Sequence, residues 1–377
     1  MKEVITSNNT KMKVSIITCY ESNEELVSFV FNACKERGYE VNAITSDYSH
    51  IRKEKRNNIS EDFIAVDTKP YKKNLSIERL LSHKKFAKDA FKLVEKQNPD
   101  LIWLFAPANS LIEEANNYKR KHSDVKIVVH IIDMWPESLP VSFDKNLLPF
   151  KIWRNIRKNN INCADALVTE CDFYQDILGK EYNDKITTIH WARDNTAKEY
   201  KLDLPEDKLS LIYIGSINNI IAPEIMNDII SKIDKPVVMH VIGEGENTDN
   251  FIDTLSKTCE VIYHGVVRDE EKKAKIFSRC HAGMNIYKEG LYIGLTVKCI
   301  DYFEHGLPII NNIKGDTWSF VDKEKVGFNV DSNTKLNSQE IIDMRMNNKH
   351  IYELFRNNFT KEVFEKKCLE VIDEVMQ

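Results

Sequence analysis

The residues from Ala282 to Asn312 constrain the fold more strongly than any other stretch of this 377-residue chain. A short apolar run predicts a buried strand at Ala282 to Ile286, and apolar positions at three- and four-residue steps predict a helix from Thr296 to His305. Gly306 is placed to end that helix as a C′ glycine, and Leu307 begins the next strand. The stretch therefore predicts strand, glycine-bearing loop, helix and strand, which is the repeating unit of a parallel α/β sheet.

The start of the predicted helix has the character of an anion site. A helix N-terminus carries free N–H groups and a partial positive charge, which attract phosphate. Thr296 stands at the N-cap or in the first turn, Lys298 is a first-turn cation that is unfavourable without an anion, and Asp301 shares its face. A carboxylate there can accept both hydroxyls of a ribose. These residues suit a nucleoside diphosphate, although an ordinary βαβ unit with a solvated Lys–Asp pair also fits them.

Strands and helices alternate along the rest of the chain. Strands are predicted at 13–19, 40–45, 100–105, 126–131, 164–169, 186–189, 209–215, 237–242 and 259–263. Helices are predicted at 21–37, 75–97, 109–121, 150–162, 268–279, 361–376 and from Pro223 onward. This order favours doubly wound parallel sheets, in which ligands bind beyond the carboxyl ends of the strands.

Composition excludes several classes of protein. The formal net charge of −5 does not favour nucleic acid as a partner, and the longest apolar runs fall short of the roughly 20 residues of a membrane span. Eight cysteines without a CxxC pair predict reduced thiols, and polar Met1 to Lys13 predicts no signal or anchor. The expected location is the cytoplasm.

Two further stretches carry distinctive patterns. The run Asp133-Met-Trp-Pro-Glu-Ser138 directly follows a predicted strand, and a Trp-Pro turn capped by Asp133 is its plain alternative. Basic and apolar residues alternate in Phe150 to Asn162. Such a helix suits an anionic membrane surface, but packing of its apolar side on the core is the commoner use.

The sequence from Lys298 to Ile310, KCIDYFEHGLPII, resembles the donor-site helix of retaining GT-B glycosyltransferases of family 4. The family pattern is K-x-x-E-Y-x-x-x-G-x-P-V-I, and Asp301 fills the place of the acidic residue that holds the ribose. The run from Asp133 resembles the D-L-W-P-E-S-L segment of members that assemble bacterial polysaccharides. Weaker matches follow the family's order between Lys13 and Val330. They lie at His190 to Asp194, Gly215, Gly243 to Gly245, and His264-Gly265.

The resemblance implies an α/β GT-B fold of two Rossmann-like domains facing each other across a cleft. Residues 1–195 with the terminal helix 360–377 would bind the acceptor, and 205–357 would bind the donor. The implied activity is retaining transfer of a hexosyl or N-acetylhexosaminyl group from a nucleotide diphosphate sugar, most simply a UDP-sugar. The acceptor would be a bacterial glycan, lipid-linked or protein-linked, reached at the inner face of the cell membrane. No metal or other cofactor is expected.

The implied site residues fall into three groups. His130 and Asp133 would lie near the transferred sugar and act in catalysis with Lys298, while Glu137 and Arg193 would lie on the acceptor side. The implied donor-binding residues are Gly215, Ser216, Gly243, His264, Gly265, Gly294, Leu295, Thr296, Lys298 and Asp301.

The chain departs from the family pattern at three places. Ser216 and Ile221 stand where members carry the Arg and Lys that neutralise the leaving diphosphate, and Ile293 replaces the first glutamate of the E-x7-E pair. Lys298, the helix N-terminus and Arg193 or Arg268 would then carry that charge. A non-catalytic partner subunit of an active transferase is therefore an alternative. A nucleotide-sugar epimerase is another, with Asp133 and Glu137 as its paired carboxylates.

Overall fold

The computed structural model describes residues 11–139, 144–194 and 201–377, which form two compact units. The N-terminal unit contains the described residues of 1–170, 178–189 and 364–377. The C-terminal unit contains 171–177 and the described residues of 190–363. Each unit is a parallel α/β structure with its own sheet.

The N-terminal unit is built on a seven-stranded sheet in the order β3-β2-β1-β4-β5-β6-β7. Its strands are β1 (Lys13–Thr18), β2 (Glu40–Ser46), β3 (Phe63–Val66), β4 (Leu101–Ala106), β5 (Lys126–Ile131), β6 (Ala166–Thr169) and β7 (Ile186–Thr188). Its helices are α1 (Glu24–Glu36), α2 (Ile77–Gln97), α3 (Asn109–Lys119) and α4 (Leu148–Lys158). The central strands β1, β4 and β5 are mostly apolar, and β4 is apolar throughout, because helices cover both faces of a parallel sheet. Every residue of β4 is buried as a result.

The C-terminal unit is built on a six-stranded sheet in the order β10-β9-β8-β11-β12-β13. Its strands are β8 (Leu209–Ile214), β9 (Val237–Ile242), β10 (Glu260–Gly265), β11 (Ala282–Asn285), β12 (Ile309–Asn311) and β13 (Gly327–Asn329). Its helices are α5 (Asp172–Leu178), α6 (Pro223–Ser231), α7 (Thr248–Leu255), α8 (Glu270–Phe277), α9 (Val297–Glu304), α10 (Asp316–Glu324), α11 (Ser338–Met346) and α12 (Lys349–Asn358). The last residue of α5, Leu178, is counted with the N-terminal unit.

The last helix, α13 (Lys361–Met376), belongs to the N-terminal unit from Phe364 onward. The Phe364 ring lies 6.0 Å from the ring of Phe29 on α1 and 6.1 Å from that of His130 on β5. Its aromatic contacts therefore extend the core of that unit with residues from the far end of the chain.

The central stretch of the sequence has the predicted order of elements. Strand β11, helix α9 and strand β12 follow one another, and Gly306 adopts a φ of +61° just after the helix. The charged stretch 195–207 is the interdomain linker that the sequence predicts, and its residues 195–200 lie outside the described residues, as do residues 1–10. Among the helices that are described, we find none that combines the length and the apolar character needed to cross a bilayer.

Candidate functional site

Three glycines end neighbouring strands of the C-terminal sheet. Gly215, Gly243 and Gly265 follow or end β8, β9 and β10, with φ values of +121°, +131° and +65°. The Gly215 N–H donates to the carbonyl of Ile242 at 3.0 Å, and the Gly243 N–H donates to that of Gly265 at 2.8 Å. A Cβ at position 243 would lie 2.0 Å from the carbonyl oxygen of Gly215. The bare backbone at this edge therefore depends on glycine, and it leaves room for a ligand to approach closely.

A chain of buried amides joins the other three strand ends to helix α9. Asn285, Asn311 and Asn329 are the last residues of β11, β12 and β13 and lie in register. The Asn285 Nδ2 donates to Asn311 Oδ1 and the Asn311 Nδ2 donates to Asn329 Oδ1, each at 2.8 Å. The Thr296 hydroxyl donates to Asn285 Oδ1 at 2.8 Å. This chain fixes where α9 begins, because buried amides are held to the geometry that satisfies them.

Thr296 is the N-cap residue of α9, but its side chain does not cap the helix. Its hydroxyl is directed to Asn285 and to the Cys299 sulfur instead. An N-cap serine or threonine ordinarily accepts a hydrogen bond from the first turn. The first-turn N–H groups of α9 therefore have no side-chain acceptor from their own N-cap, although that of Cys299 donates to the Thr296 carbonyl at 3.0 Å.

Lys298 is the buried cation at this helix start. Its side chain is 8% exposed, and no hydrogen-bond partner of its Nζ exists among the described residues. The ammonium lies 4.0 Å from the centre of the Tyr213 ring and 4.7 Å from that of Tyr287. A Cβ on Gly215 would lie 3.9 Å from Nζ. Burial lowers the pKa of Lys298 to about 7, and the electrostatic attraction of Cys299 and Asp301 opposes this shift.

Asp301 lies one turn further along α9 and forms an ion pair. The Arg193 Nε donates to Asp301 Oδ1 at 2.9 Å, and the two side chains are 24% and 15% exposed. Backbone hydrogen bonds with Phe359 and Lys361 fix the position of Arg193. Arg193 therefore lies in the C-terminal unit beside a residue predicted to bind the donor, and this position argues against its predicted place on the acceptor side.

Glu304, which sequence analysis missed, is a second carboxylate on α9. It is 7% exposed, and burial raises its pKa to about 7, helped by the nearby charge of Asp301 and opposed by Lys273 and Arg193. The sequence indicates its burial only by its position, because Glu304 falls where the three- and four-residue steps of α9 predict an apolar residue.

His264 on β10 pairs with His240 on β9. The His240 Nδ1 and the His264 Nε2 lie 2.9 Å apart, and the two rings lie edge to edge, with their centres 5.2 Å apart and an angle of 5° between their planes. Burial lowers the pKa of His240 to about 4 and also lowers that of His264. Both rings are therefore neutral near pH 7, and the pair forms a flat aromatic surface beside Gly265.

Gly294 and Leu295 precede the helix and pack closely against their surroundings. A Cβ on Gly294 would lie 2.7 Å from Asp316 Oδ2 and 2.7 Å from the Cys171 sulfur. Asp316 accepts the N–H groups of Asp172 at 2.6 Å and of Phe173 at 3.0 Å. Gly294 is therefore required for packing, whatever contacts it makes with a ligand, while Leu295 is buried at 8% exposure.

His130 is part of the core of the N-terminal unit. It is 0% exposed, its ring stacks on those of Phe105 and Phe364, and neither ring nitrogen has a partner among the described residues. Burial lowers its pKa to about 3. A neutral imidazole enclosed by aromatic rings cannot meet a sugar, so this placement argues against the predicted catalytic role. Strand alternation alone could not show that the helix at the end of the chain covers this position.

Asp133 follows β5 at the carboxyl edge of the N-terminal sheet. Burial raises its pKa to about 7, and the charge of Arg79 opposes this rise. Arg79 is 2% exposed and lies 4.2 Å from the centre of the Trp135 ring. Its guanidinium donates to the Tyr20 hydroxyl at 3.0 Å and to the Asn74 carbonyl at 2.6 Å. Asp133 thus lies in a polar and aromatic cluster whose other members sequence analysis did not identify.

Glu137 forms a structural ion network. Its carboxylate accepts from Arg154 Nε at 2.8 Å and from Arg157 Nη2 at 2.7 Å, and Arg157 also donates to the Trp135 carbonyl at 2.6 Å. This network ties α4 to the Trp-Pro turn. Because both arginines bind the Glu137 carboxylate, this group is already engaged where an epimerase would need it for catalysis. The network also offers no support for the predicted contact of Glu137 with an acceptor.

Comparison with solved structures decides the fold. The chain resembles a sucrose-phosphate synthase from Thermosynechococcus elongatus with a TM-score of 0.71 and 12% identity, over 97% of this chain and 99% of that chain. It resembles the apo lipopolysaccharide outer core galactosyltransferase WaaB with a TM-score of 0.67 and 13% identity, over 96% and 99%. The fold is GT-B.

A third structure with the GT-B fold is that of HepE from Anabaena in complex with UDP and glucose. Its TM-score is 0.62 at 12% identity, over 96% of this chain and all of that chain. No family model and no curated protein sequence matches the chain. At such low identities the structural likeness establishes the GT-B fold alone, so the chemistry must be argued from the residues.

Within the C-terminal unit, the structure brings together most of the predicted donor residues. Gly215 and Lys298 lie close together at the sheet edge, Asp301 follows on α9, and His264 lies beyond Gly243. Ser216 is held nearby through its carbonyl, which accepts from the Tyr213 hydroxyl at 2.7 Å. The arrangement can hold a doubly charged anion at the helix start and a polyhydroxyl group beside Asp301.

Proposed function

We propose that the protein is a glycosyltransferase that takes a sugar from a nucleotide diphosphate sugar, with a UDP-sugar as donor. The C-terminal unit binds this donor, and the N-terminal unit binds the acceptor. Transfer occurs with retention at the anomeric carbon, and no metal ion is required. The sugar is a hexosyl or N-acetylhexosaminyl group, and the acceptor is a glycan, free or attached to lipid or protein.

The observation that carries this proposal is the unpartnered ammonium of Lys298. Burial of a cation without a counter-ion is costly, and proteins ordinarily avoid it by pairing the charge. Here the cation lies at an uncapped helix N-terminus and faces Gly215 at a strand end. A diphosphate placed there would restore the charge of Lys298 and accept hydrogen bonds from N–H groups in the first turn of α9.

Asp301 provides the second contact in this proposal. Its carboxylate accepts the ribose hydroxyls, while the ion pair with Arg193 holds it in one orientation. The coplanar His240 and His264 rings offer a neutral surface to the base. Asp133, in the N-terminal unit, is assigned to the neighbourhood of the transferred sugar, where its raised pKa suits exchange of a proton with a hydroxyl.

Lys298 also has a role in the chemical step. Negative charge grows on the leaving diphosphate as the bond between the sugar and the diphosphate breaks. A fixed cation therefore stabilises the transition state more strongly than it stabilises the bound donor. Burial in a site of low dielectric increases that effect. The helix N-terminus and Lys298 together take the place of a metal ion.

Calorimetry with UDP-, GDP- and dTDP-sugars tests the proposal. The wild type should bind one nucleotide class, and Lys298→Ala and Asp301→Asn should each weaken that binding roughly ten- to a hundredfold, because each removes a charge-assisted hydrogen bond. Lys298→Ala should lower kcat as well, whereas Asp301→Asn should mainly raise KM. Lys349→Ala, on the exposed surface of α12, is the control. Absence of binding to the whole panel would refute the proposal.

A non-catalytic partner subunit remains a second candidate because of two specific positions. Ile221, where a lysine would neutralise the diphosphate, is 3% exposed and belongs to the core of its unit. Ser216 has no charge to offer. A protein that binds the nucleotide sugar but transfers nothing until a second transferase subunit is added would favour this candidate.

A further inference from the structure

Two tyrosine rings face the ammonium of Lys298 from neighbouring strands of the C-terminal sheet. Tyr213 is the penultimate residue of β8, and Tyr287 follows β11, which pairs with β8. The Lys298 Nζ lies 4.0 Å from the centre of the Tyr213 ring and 4.7 Å from that of the Tyr287 ring. Both distances are within the roughly 6 Å over which a ring face attracts a cation. We call Tyr213 and Tyr287 the aromatic pair.

Contacts within the unit fix the position of both rings. Tyr213 is 0% exposed, its hydroxyl donates to the Ser216 carbonyl at 2.7 Å, and its ring lies 5.0 Å from that of Phe251. Tyr287 is 6% exposed, its N–H donates to Asn312 Oδ1 at 2.9 Å, and its carbonyl accepts from Asn312 Nδ2 at 2.7 Å. The aromatic pair is therefore in place before a ligand binds, which is the requirement for a preorganised site.

The aromatic pair stands where a buried lysine ordinarily has a carboxylate. The Lys298 Nζ has no hydrogen-bond partner among the described residues, and the carboxylate of Asp301 is paired with Arg193. A carboxylate beside Lys298 would accept its N–H groups and would repel an incoming diphosphate. A ring face attracts the positive charge without accepting a conventional hydrogen bond, so the three N–H donors of the ammonium stay available to a ligand.

We infer that Tyr213 and Tyr287 are positioning residues, which keep Lys298 charged and available to the diphosphate in place of a counter-ion. The inference rests on the proposed function for the identity of the ligand, but the attraction between the rings and the ammonium needs no ligand. Because the ring faces stabilise the charge in the empty site and in the complex alike, they set the fraction of the protein in which Lys298 is ready to bind. The strength of its contact with phosphate does not depend on them.

The other ionisable groups around Lys298 do not replace the aromatic pair. Burial raises the pKa of the Cys299 thiol to about 12 and also raises the pKa of both tyrosine hydroxyls, so these groups are neutral near pH 7. Asp301 has its own cation in Arg193. Glu304, one turn further along α9, has a pKa that burial raises to about 7. It titrates in the wild type and in every variant below, so differences between these proteins do not arise from it.

Titration calorimetry with UDP-glucose at two pH values tests the inference. Tyr213→Leu removes one ring face and should lower the pKa of Lys298, about 7 in the wild type, by about one further pH unit. Because the complex requires a charged Lys298, the affinity should fall about tenfold at pH 8 and less than about twofold at pH 6. Tyr213→Phe keeps the ring face and should bind within about twofold of the wild type at both. Tyr287→Leu and Tyr287→Phe should show the same contrast, with a smaller loss because this ring is further from Nζ.

A purely structural role of the rings predicts a different pH dependence. If Tyr213→Leu only displaced Lys298, the affinity for UDP-glucose would fall by the same factor at pH 6 and at pH 8. That result would overturn the inference, and so would a Tyr213→Phe variant that binds as weakly as Tyr213→Leu. Tyr118→Leu is the matched control, since Tyr118 is a buried tyrosine of the N-terminal unit. It should leave the affinity unchanged at both pH values.

A second variant and a measurement without ligand cover the possible failures. A fluorinated phenylalanine in place of Tyr213 nearly preserves the ring volume but removes the negative charge of its face, so it should lower the pKa of Lys298 as leucine does. An NMR titration of carbon-13-labelled lysine gives this pKa directly, and Lys298→Met identifies the signal. A pKa lowered by the fluorinated ring, in a protein that binds no UDP-glucose, would reject the proposed function and retain the role of the aromatic pair. An unchanged pKa would reject that role.

Discussion

The ammonium of Lys298 lies 4.0 Å from the centre of the Tyr213 ring, and the face of that ring is the main electrostatic contact that the structure offers it. An aromatic face stabilises a buried cation only in part, by about 2 kcal/mol when both groups are desolvated. The remaining cost is expressed in the lowered pKa, about 7. Burial of the Lys298 ammonium thus destabilises the empty protein, and a bound anion would offset this destabilisation.

Replacing Lys298 with methionine should therefore stabilise the empty protein. The folded-state pKa lies below the unfolded value of 10.5, so the destabilisation is complete below about pH 7 and disappears as the pH approaches 10.5. Lys298→Met should raise the Tm at pH 7 by at least about 2–4 °C, the shift given by 1 kcal/mol in a domain of this size. The gain should shrink toward pH 10. Calorimetric melting at both pH values measures it, and a lower Tm at pH 7 would contradict the burial argument.

Donor binding should weaken as the pH rises above about 7. Lys298 must take up a proton to meet the diphosphate, so the affinity for a UDP-sugar should fall by up to about tenfold per pH unit until the raised pKa of the complex is reached. His240 and His264 are neutral throughout this range because their pKa values are lowered. Titration calorimetry between pH 6 and 9 gives the slope. Lys298→Met should have a shallower profile, because Glu304, whose pKa burial also raises to about 7, still titrates in this range. A wild-type slope equal to that of this variant would remove the role of Lys298.

Gly243 and Gly265 offer a matched pair of substitutions at the same sheet edge. Alanine at 243 would place its Cβ 2.0 Å from the Gly215 carbonyl oxygen, whereas alanine at 265 would have no atom within 4 Å. Gly265→Ala should cost only the left-handed penalty of about 1–2 kcal/mol. Gly243→Ala should cost about 3 kcal/mol or more and also weaken donor binding, since Gly215 must move. Urea unfolding of both variants compares them, and equal losses would be inconsistent with the close approach.

Arg345 on α11 holds the end of α9 in place from the interior. Its side chain is 1% exposed and donates to the carbonyls of Phe277, Cys280, His305 and Gly306. Arg345→Lys cannot reach all four acceptors and should cost about 3 kcal/mol or more. Arg279→Lys, whose pair with Asp203 is exposed, should cost less than about 1 kcal/mol. Chemical denaturation of the two variants should show this contrast.

Local sequence patterns predicted the elements around α9. They could not predict the features of the site that depend on contacts between residues far apart in the sequence. Helix spacing alone placed Lys298 and Asp301 at the start of the helix. The partner of Asp301 comes from Arg193, more than a hundred residues earlier, so the ion pair was beyond any local pattern. His130 was assigned to a site because the segment that follows its strand resembles one in the family, but a phenylalanine from the last helix stacks on its ring. The alternation of strands and helices predicted doubly wound parallel sheets, and the GT-B fold followed from the resemblance of the α9 region to a known family.

The amides at the strand ends were missed although their signal is plain in the sequence. Each of β11, β12 and β13 ends in asparagine. Asparagine is rare inside a sheet, and three occurrences at equivalent positions indicate that the side chains bond to one another across the strands. To recognise this pattern, one must know that β11, β12 and β13 pair in that order. The sequence indicates this order only after a parallel sheet has been assumed.

The amide chain has a direction, and this has an evolutionary consequence. Every hydrogen bond runs the same way, from Thr296 to Asn285, Asn311 and Asn329, and ends on the Trp318 carbonyl. Changing one member leaves its neighbours unsatisfied, whereas replacing a whole set by apolar residues of similar shape can be nearly neutral. We expect these four positions to covary among relatives and to be inherited as a unit, with the start of α9 preserved only in lineages that keep all of them.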